Sequence, residues 1–160
     1  MDEVFQNLKG ILLKNNLKLS VAESCTGGLI SSYLTDIEGA SSFIEQNFVT
    51  YAPFAKVKFL NVNPKTIEKY TVVSKETAYE MAEGLFQYAD CSISTTGYAG
   101  ASDDKNNPMG TVYIGFGLKN GNIIKTIRHV SKFKTRIEIK KDFAKTAIKE
   151  FLIFLNENLV

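Results

Sequence analysis

The chain has 160 residues, 44% of them hydrophobic, which is enough for one domain with a real core. Its formal charge of +2 is too small to mark a nucleic-acid footprint, and no apolar run is long enough to span a bilayer. No secretory leader opens it, and Cys25 and Cys91 lie too far apart for a metal knuckle or a Cys-x-x-Cys pair, so the expected compartment is a reducing cytoplasm.

Val4, Phe5, Leu8, Ile11 and Leu12 recur at helical spacing and predict an opening helix that ends near Asn15. Leu17 to Glu23 reads as a buried strand, and Thr26 to Leu34 as the helix after it. Gly39 to Ser42 is a loop. Phe43 to Tyr51, rich in β-branched and aromatic residues, is a second strand. Pro53 and Pro64 each suit the first turn of a short helix, where a missing N–H goes unnoticed. Ser74 is a helix cap, followed by Ala78, Met81, Ala82, Leu85, Phe86 and Ala89 on one face.

Cys91 to Thr96 is strand-like, and Gly97 to Gly110 is a loop long enough to be functional. Thr111 to Leu118 and Ile123 to Val130 flank an Asn-Gly turn and predict a hairpin. Gly115-Phe116-Gly117 resembles part of a dinucleotide fingerprint, but no helix follows, so both are strand glycines. Phe143, Ala144, Ala147, Ile148, Phe151, Leu152 and Leu155 draw a closing helix. The lysines from Lys132 to Lys149 read as its solvated side. Strands alternating with helices, then a hairpin, predict a three-layer α/β/α fold with a mixed sheet in a single domain over residues 1–160.

The chemistry concentrates at Ala22-Glu23-Ser24-Cys25-Thr26-Gly27-Gly28, where a strand turns into a helix. Such a junction lifts one hydroxyl to the rim of a sheet and aims free N–H groups at an anion. Ser24 is therefore either the helix cap or a nucleophile. The paired glycines favour a backbone that must approach a ligand. A serine nucleophile needs a base. His129, the only histidine, lies in the hairpin and reads as a surface residue. A lysine with a lowered pKa is the substitute, and Lys56 just past the second strand is the best placed, with Tyr51 to orient it. Gly39-Ala40-Ser41-Ser42 is a turn or a source of a second hydroxyl. Thr96, Gly97, Ala99 and Gly100 follow a strand end, where α/β folds place their ligands.

Those residues together resemble the CinA C-terminal domain family, the nicotinamide-nucleotide amidohydrolases. The likeness runs from Leu17 almost to the chain's end. It rests on Ala22 to Gly28; on Thr35-Asp36-Ile37 with Gly39 and Ser41; and on Phe48-Val49-Thr50-Tyr51 with Ala55-Lys56. Val73-Ser74, Met81 to Gly84, Thr96-Gly97, Ala99-Gly100, Pro108 and Gly110 to Val112 complete it. The resemblance implies hydrolysis of the carboxamide of nicotinamide mononucleotide to nicotinic acid mononucleotide and ammonia. It implies Ser24, Ser41, Tyr51 and Lys56 as catalytic residues, with Ser41 the second candidate nucleophile. Thr26, Gly27, Gly28, Thr96, Gly97, Ala99, Gly100 and Arg136 are its substrate-binding set. A Ser/Lys mechanism requires no metal and no cofactor. The resemblance also implies a homo-oligomer whose partner is a small nucleotide, with no nucleic acid and no membrane.

Two departures stand out. Tyr98 replaces the family's isoleucine, and Ala101-Ser102-Asp103-Asp104 replaces a Pro-Gly-rich stretch. The expectation is a looser loop whose acids repel a phosphate. Arg136-Ile137-Glu138-Ile139-Lys140 stands where the family has Arg-x-x-Ile-Arg, so a planar fork becomes a point charge. The rival reading is a nucleotide-binding or regulatory module without turnover.

Overall fold

Helix starts follow from the side chains in front of them. In the computed structural model, which describes residues 1–159, Ser74 accepts from the N–H of Thr77 at 3.1 Å and so caps the helix behind it. Asn63 accepts from the N–H of Lys65, and the Thr135 hydroxyl accepts from the N–H of Glu138 and donates to that residue's carboxylate. Pro53 and Pro64 occupy first turns, as predicted. The elements are α1 (Asp2–Lys14), β1 (Leu19–Glu23), α2 (Leu29–Thr35), β2 (Ile44–Val49), α3 (Pro53–Leu60), α4 (Pro64–Tyr70) and α5 (Lys75–Gly84). Then come β3 (Cys91–Gly97), β4 (Thr111–Leu118), β5 (Ile123–Val130) and α6 (Arg136–Asn158).

The strands form one mixed sheet in the order β2-β1-β3-β4-β5. β1 lies parallel to both β2 and β3, and β3, β4 and β5 pair antiparallel. α1, α2 and α6 pack on one face, and α5 with α3 and α4 on the other. This is the expected single α/β domain with helices on both sides of a mixed sheet.

The two faces are built differently. Leu19, Val21, Ile93, Val112, Ile114 and Phe116 fill the α6 side with large apolar groups. Phe116, Phe151 and Phe154 are all buried there, with ring centroids 5.8 to 6.2 Å apart. Burial of each contributes roughly 1.5–3 kcal/mol. On the α5 side the same strands carry Ser92, Ser94, Thr96, Gly115 and Gly117. The Ser92 and Ser94 hydroxyls donate to the carbonyls of Ala82 and Ala78 at 2.9 and 2.6 Å. A Cβ at Gly115 would lie 2.5 Å from the Ala78 carbonyl, so glycine is what lets α5 lie so close. The two glycines are strand glycines, as the sequence reading has it.

Several boundaries differ from expectation, β1 beginning at Leu19 and not Leu17 among them. α2 begins at Leu29, not Thr26, because Gly27 and Gly28 have φ of +62° and +97° and cannot continue a right-handed helix. β2 ends at Val49, so Tyr51 lies beyond it. α5 stops at Gly84, where the Leu60 carbonyl presses against the helix, and a short 3₁₀ turn, Leu85–Gln87, replaces its last turn. α6 starts a full two turns before Phe143, because Thr135 caps it there.

The chain leaves β1 through α2 on one face to reach β2, then returns through α3, α4 and α5 on the other to reach β3. The carboxyl end of β1 is thus a topological switch point, where a crevice opens in an α/β sheet.

Candidate active site

A cleft of about 290 Å³ sits at that crevice, lined by Ser24, Cys25, Tyr51, Lys56, Val72, Val73, Thr96 to Ala101 and Arg136. A larger groove of about 510 Å³, lined by Asn15 to Leu17, Asp90, Lys119 and Asn158 among others, lies at the opposite end of the sheet. It holds no Ser–Lys pair and no other nucleophile beside a base, so chemistry favours the smaller cleft.

Ser24 follows the last residue of β1, and its hydroxyl accepts from Lys56 Nζ at 2.9 Å. It is not the cap of α2. That role belongs to Glu23, which is 0% exposed. One carboxylate oxygen accepts from the N–H groups of Gly28 and Ile30 at 3.0 and 3.1 Å, the other from the N–H and hydroxyl of Ser31 at 2.8 and 2.6 Å. With the helix terminus already occupied by an anion, Ser24 is left free to face the cleft.

Lys56 lies on the first turns of α3 and is 1% exposed. Besides Ser24, its amine meets the main-chain carbonyls of Thr50 at 2.6 Å and Tyr51 at 3.2 Å. No carboxylate among the described residues pairs with it. Burial without a counter-charge pulls its pKa down from 10.5 to about 8, opposed weakly by Cys25. About one amine in ten is therefore neutral at pH 7. In that form two N–H groups are enough for the two carbonyls, which leaves the lone pair for the Ser24 hydroxyl. The neighbouring Cys25 thiol is pushed up to about 12 by burial and stays protonated.

Arg136, the first residue of α6, closes the other side. Its guanidinium donates to the Tyr51 phenol at 3.3 Å and passes directly over Gly100. The Tyr51 ring is 62% exposed at the rim. The contact of Tyr51 with Lys56 is thus through its carbonyl, while its phenol meets Arg136. Lys140, one turn further along α6, brings its ammonium beside Gly27. The amino-terminal turns of α6 therefore bring two cations to this side of the cleft.

The loop from Tyr98 to Gly110 is not loose. Asp104 accepts from the N–H of Asn106 and from the side-chain amide of Asn107, and Tyr113 donates to Asn107. Those bonds, the Asn107 side chain first, hold the Asp104 carboxyl below its ordinary pKa. The carboxylate therefore pins the loop at neutral pH and lets go only as the pH falls through that lowered value. Asp103 and Asp104 do not line the cleft, so the expected repulsion of a phosphate is not built into it.

Several expected site residues stand elsewhere. Ser41 is exposed on a 3₁₀ turn at the entry to β2, and Ser24 leaves the exit of the parallel strand β1, so the two lie at opposite ends of the sheet. The separation is on the order of 15–20 Å at ~3.3 Å per strand residue. The Thr26 hydroxyl is buried against Thr95 at 3.0 Å. Gly27 and Gly28 supply the turn, but their N–H groups go to the Ser24 carbonyl and to Glu23, not to a ligand. His129 bonds Asp142 between β5 and α6, a surface tie as read from the hairpin. Thr96, whose hydroxyl donates to the Val72 carbonyl, lines the cleft together with Gly97, Ala99 and Gly100. The sequence reading assigned no role to Glu23 or Thr50; the acid five residues before Gly28 was the available signal. Among the described residues no cluster of three or more His, Cys, Asp or Glu stands ready for a metal, and no helix is long and apolar enough to cross a membrane.

Known proteins resemble this chain throughout. The model of the CinA C-terminal domain matches residues 1–155. A CinA-like protein of Chlorobium limicola is 39% identical over 152 residues, covering 92% of this chain and 35% of that protein. A putative competence-damage inducible protein of Alkaliphilus oremlandii is 45% identical over 120 residues, covering 73% of this chain and 29% of its own length. This chain thus spans about a third of such curated relatives. The crystal structure of the competence/damage inducible protein CihA from Agrobacterium tumefaciens superposes with a TM-score of 0.89 at 34% identity, covering 96% of this chain and 94% of that one. A competence or damage-inducible protein from Enterobacter asburiae gives 0.87 at 30% identity, covering 96% of each chain. By sequence over nearly its whole length and by fold, the chain belongs to the CinA C-terminal domain family.

Proposed function

We propose that this chain is a Ser/Lys amidohydrolase that converts nicotinamide mononucleotide and water to nicotinic acid mononucleotide and ammonia. The observation that carries the reading is the buried Lys56 amine 2.9 Å from the Ser24 hydroxyl, with its pKa lowered to about 8. Ser24 attacks the carboxamide carbon as Lys56 takes its proton. Lys56 returns that proton to the nitrogen as the C–N bond breaks and ammonia leaves. Water then attacks the acyl ester, with Lys56 again the base, and releases the acid and the free serine. The N–H of Cys25, next in the chain to the nucleophile, is the donor proposed for the developing oxyanion. The cationic pair Arg136 and Lys140 receives the phosphate, since Glu23 already occupies the α2 terminus.

Ammonia release from a panel of pyridine nucleotides tests the reading, with and without a chelator. Turnover of nicotinamide mononucleotide that survives the chelator is expected. Binding without ammonia release would instead make the protein a nucleotide-binding or regulatory module. Light scattering during the same assay tests the homo-oligomer.

Gly100→Ala isolates the phosphate side. A Cβ there would sit 2.6 Å from Arg136 Nη1, the mobile end of a long side chain, so the guanidinium swings away and the fold survives. KM should rise about tenfold, the loss of one charge-assisted contact, while kcat stays within about twofold. Steady-state kinetics on the variant check this.

A further inference from the structure

We infer that Glu23 is a positioning residue that holds both halves of the Ser24–Lys56 pair in register. The inference rests on the reading of Ser24 as nucleophile. Ser and Thr at a strand–helix junction ordinarily turn their hydroxyls onto the helix's first N–H groups. Here a fully buried carboxylate takes those donors first, through four hydrogen bonds to Gly28, Ile30 and Ser31. The left-handed Gly27 and Gly28 fold the chain back far enough for residues beyond them to reach it. Ser24, relieved of capping, accepts from Lys56 instead.

The same residue reaches the other partner through its main chain. The Glu23 carbonyl accepts from the N–H of Thr50 at 2.8 Å, and the Thr50 carbonyl accepts from Lys56 Nζ at 2.6 Å. One residue therefore ties the nucleophile's turn by its side chain and the base's carbonyl seat by its backbone. Neither bond touches substrate, so the effect acts through Ser24 and Lys56.

The test compares Glu23→Gln with Ile30→Val in the full chain. Glutamine keeps the shape but replaces one of the two acceptor oxygens by an NH2 group, which cannot receive the N–H donors there. Ile30→Val loosens the same helix without touching the carboxylate. Three quantities are read on each: the rate at which a fluorophosphonate labels Ser24, the Ser24–Lys56 distance in a crystal structure, and the thermal midpoint. Glu23→Gln should slow labelling at least tenfold and part the two groups beyond 3.5 Å, and Ile30→Val should change labelling less than twofold. A 2.9 Å contact retained in Glu23→Gln overturns the inference, as does equal slowing in Ile30→Val at a matched midpoint. If Glu23→Gln does not fold, Ser31→Ala removes one side-chain partner of the carboxylate and should slow labelling two- to fivefold; an unchanged rate overturns the inference. A wild type that neither labels nor releases ammonia sinks the amidohydrolase reading alone, and the crystallographic distance still decides Glu23.

Discussion

Lys56→Met is expected to lower amide hydrolysis by about 10²–10⁴-fold, the worth of a general base, while the thermal midpoint stays within a few degrees of wild type. The pairing of a large loss with a small one follows from the burial of the amine. Its pKa falls from 10.5 in the unfolded chain to about 8 in the folded one. The unfolded state binds more protons between those values, so stability rises with pH across that window and carries the full penalty below about pH 8. That penalty is about 3 kcal/mol. Methionine keeps an apolar stem and removes it. The opposing loss is the donor for the carbonyls of Thr50 and Tyr51, about 1–3 kcal/mol for each group left unsatisfied. The two effects are of similar size and opposite sign. Calorimetry beside the ammonia assay checks the balance. A midpoint that falls by more than about ten degrees would make Lys56 a structural residue. The same pKa predicts that kcat/KM rises tenfold per pH unit below about 8 and levels off above it. Lys56→Arg should be inactive across that range, because a guanidinium does not lose its proton.

Ser24→Ala is expected to cost at least as much, about 10⁴-fold or more in kcat, with KM almost unchanged. The hydroxyl is small and its hydrogen bond to Lys56 is replaceable by water, so the midpoint should move little. In wild type, acid quenching during turnover should trap an acyl ester on the peptide that contains Ser24, visible by mass spectrometry and absent from the alanine variant. An ester on another residue would remove Ser24 from the mechanism. Ser41→Ala is the natural comparison. Its hydroxyl stands at the far end of the sheet from Lys56 within one chain, so activity within about twofold of wild type is expected. A large loss there would show that a second copy of the chain brings Ser41 to the site.

What the sequence by itself determined was everything encoded between near neighbours. Alternating and helical spacing placed the five strands and the main helices, Ser74 and the two prolines marked helix starts, and Asn120-Gly121 marked the hairpin. The Ser24 turn was legible because two adjacent glycines at a strand end have few other uses. Lys56 was legible by elimination, since the single histidine sat in a hairpin. Only the tertiary structure decided who does what at that turn. Ser24 and Glu23 are adjacent and both suit a helix cap; the path of the chain after Gly28 gave that role to the acid. Ser41 and Ser24 are equally plausible hydroxyls until two parallel strands carry them to opposite ends of a sheet. Tyr51 was expected to orient Lys56, and only the tertiary structure shows that its carbonyl is the atom that meets the amine. The physical reason is the same in each case. Backbone conformation is governed by contacts a few residues long, whereas a lowered pKa and a nucleophile's freedom depend on groups 32 residues apart meeting where water is excluded.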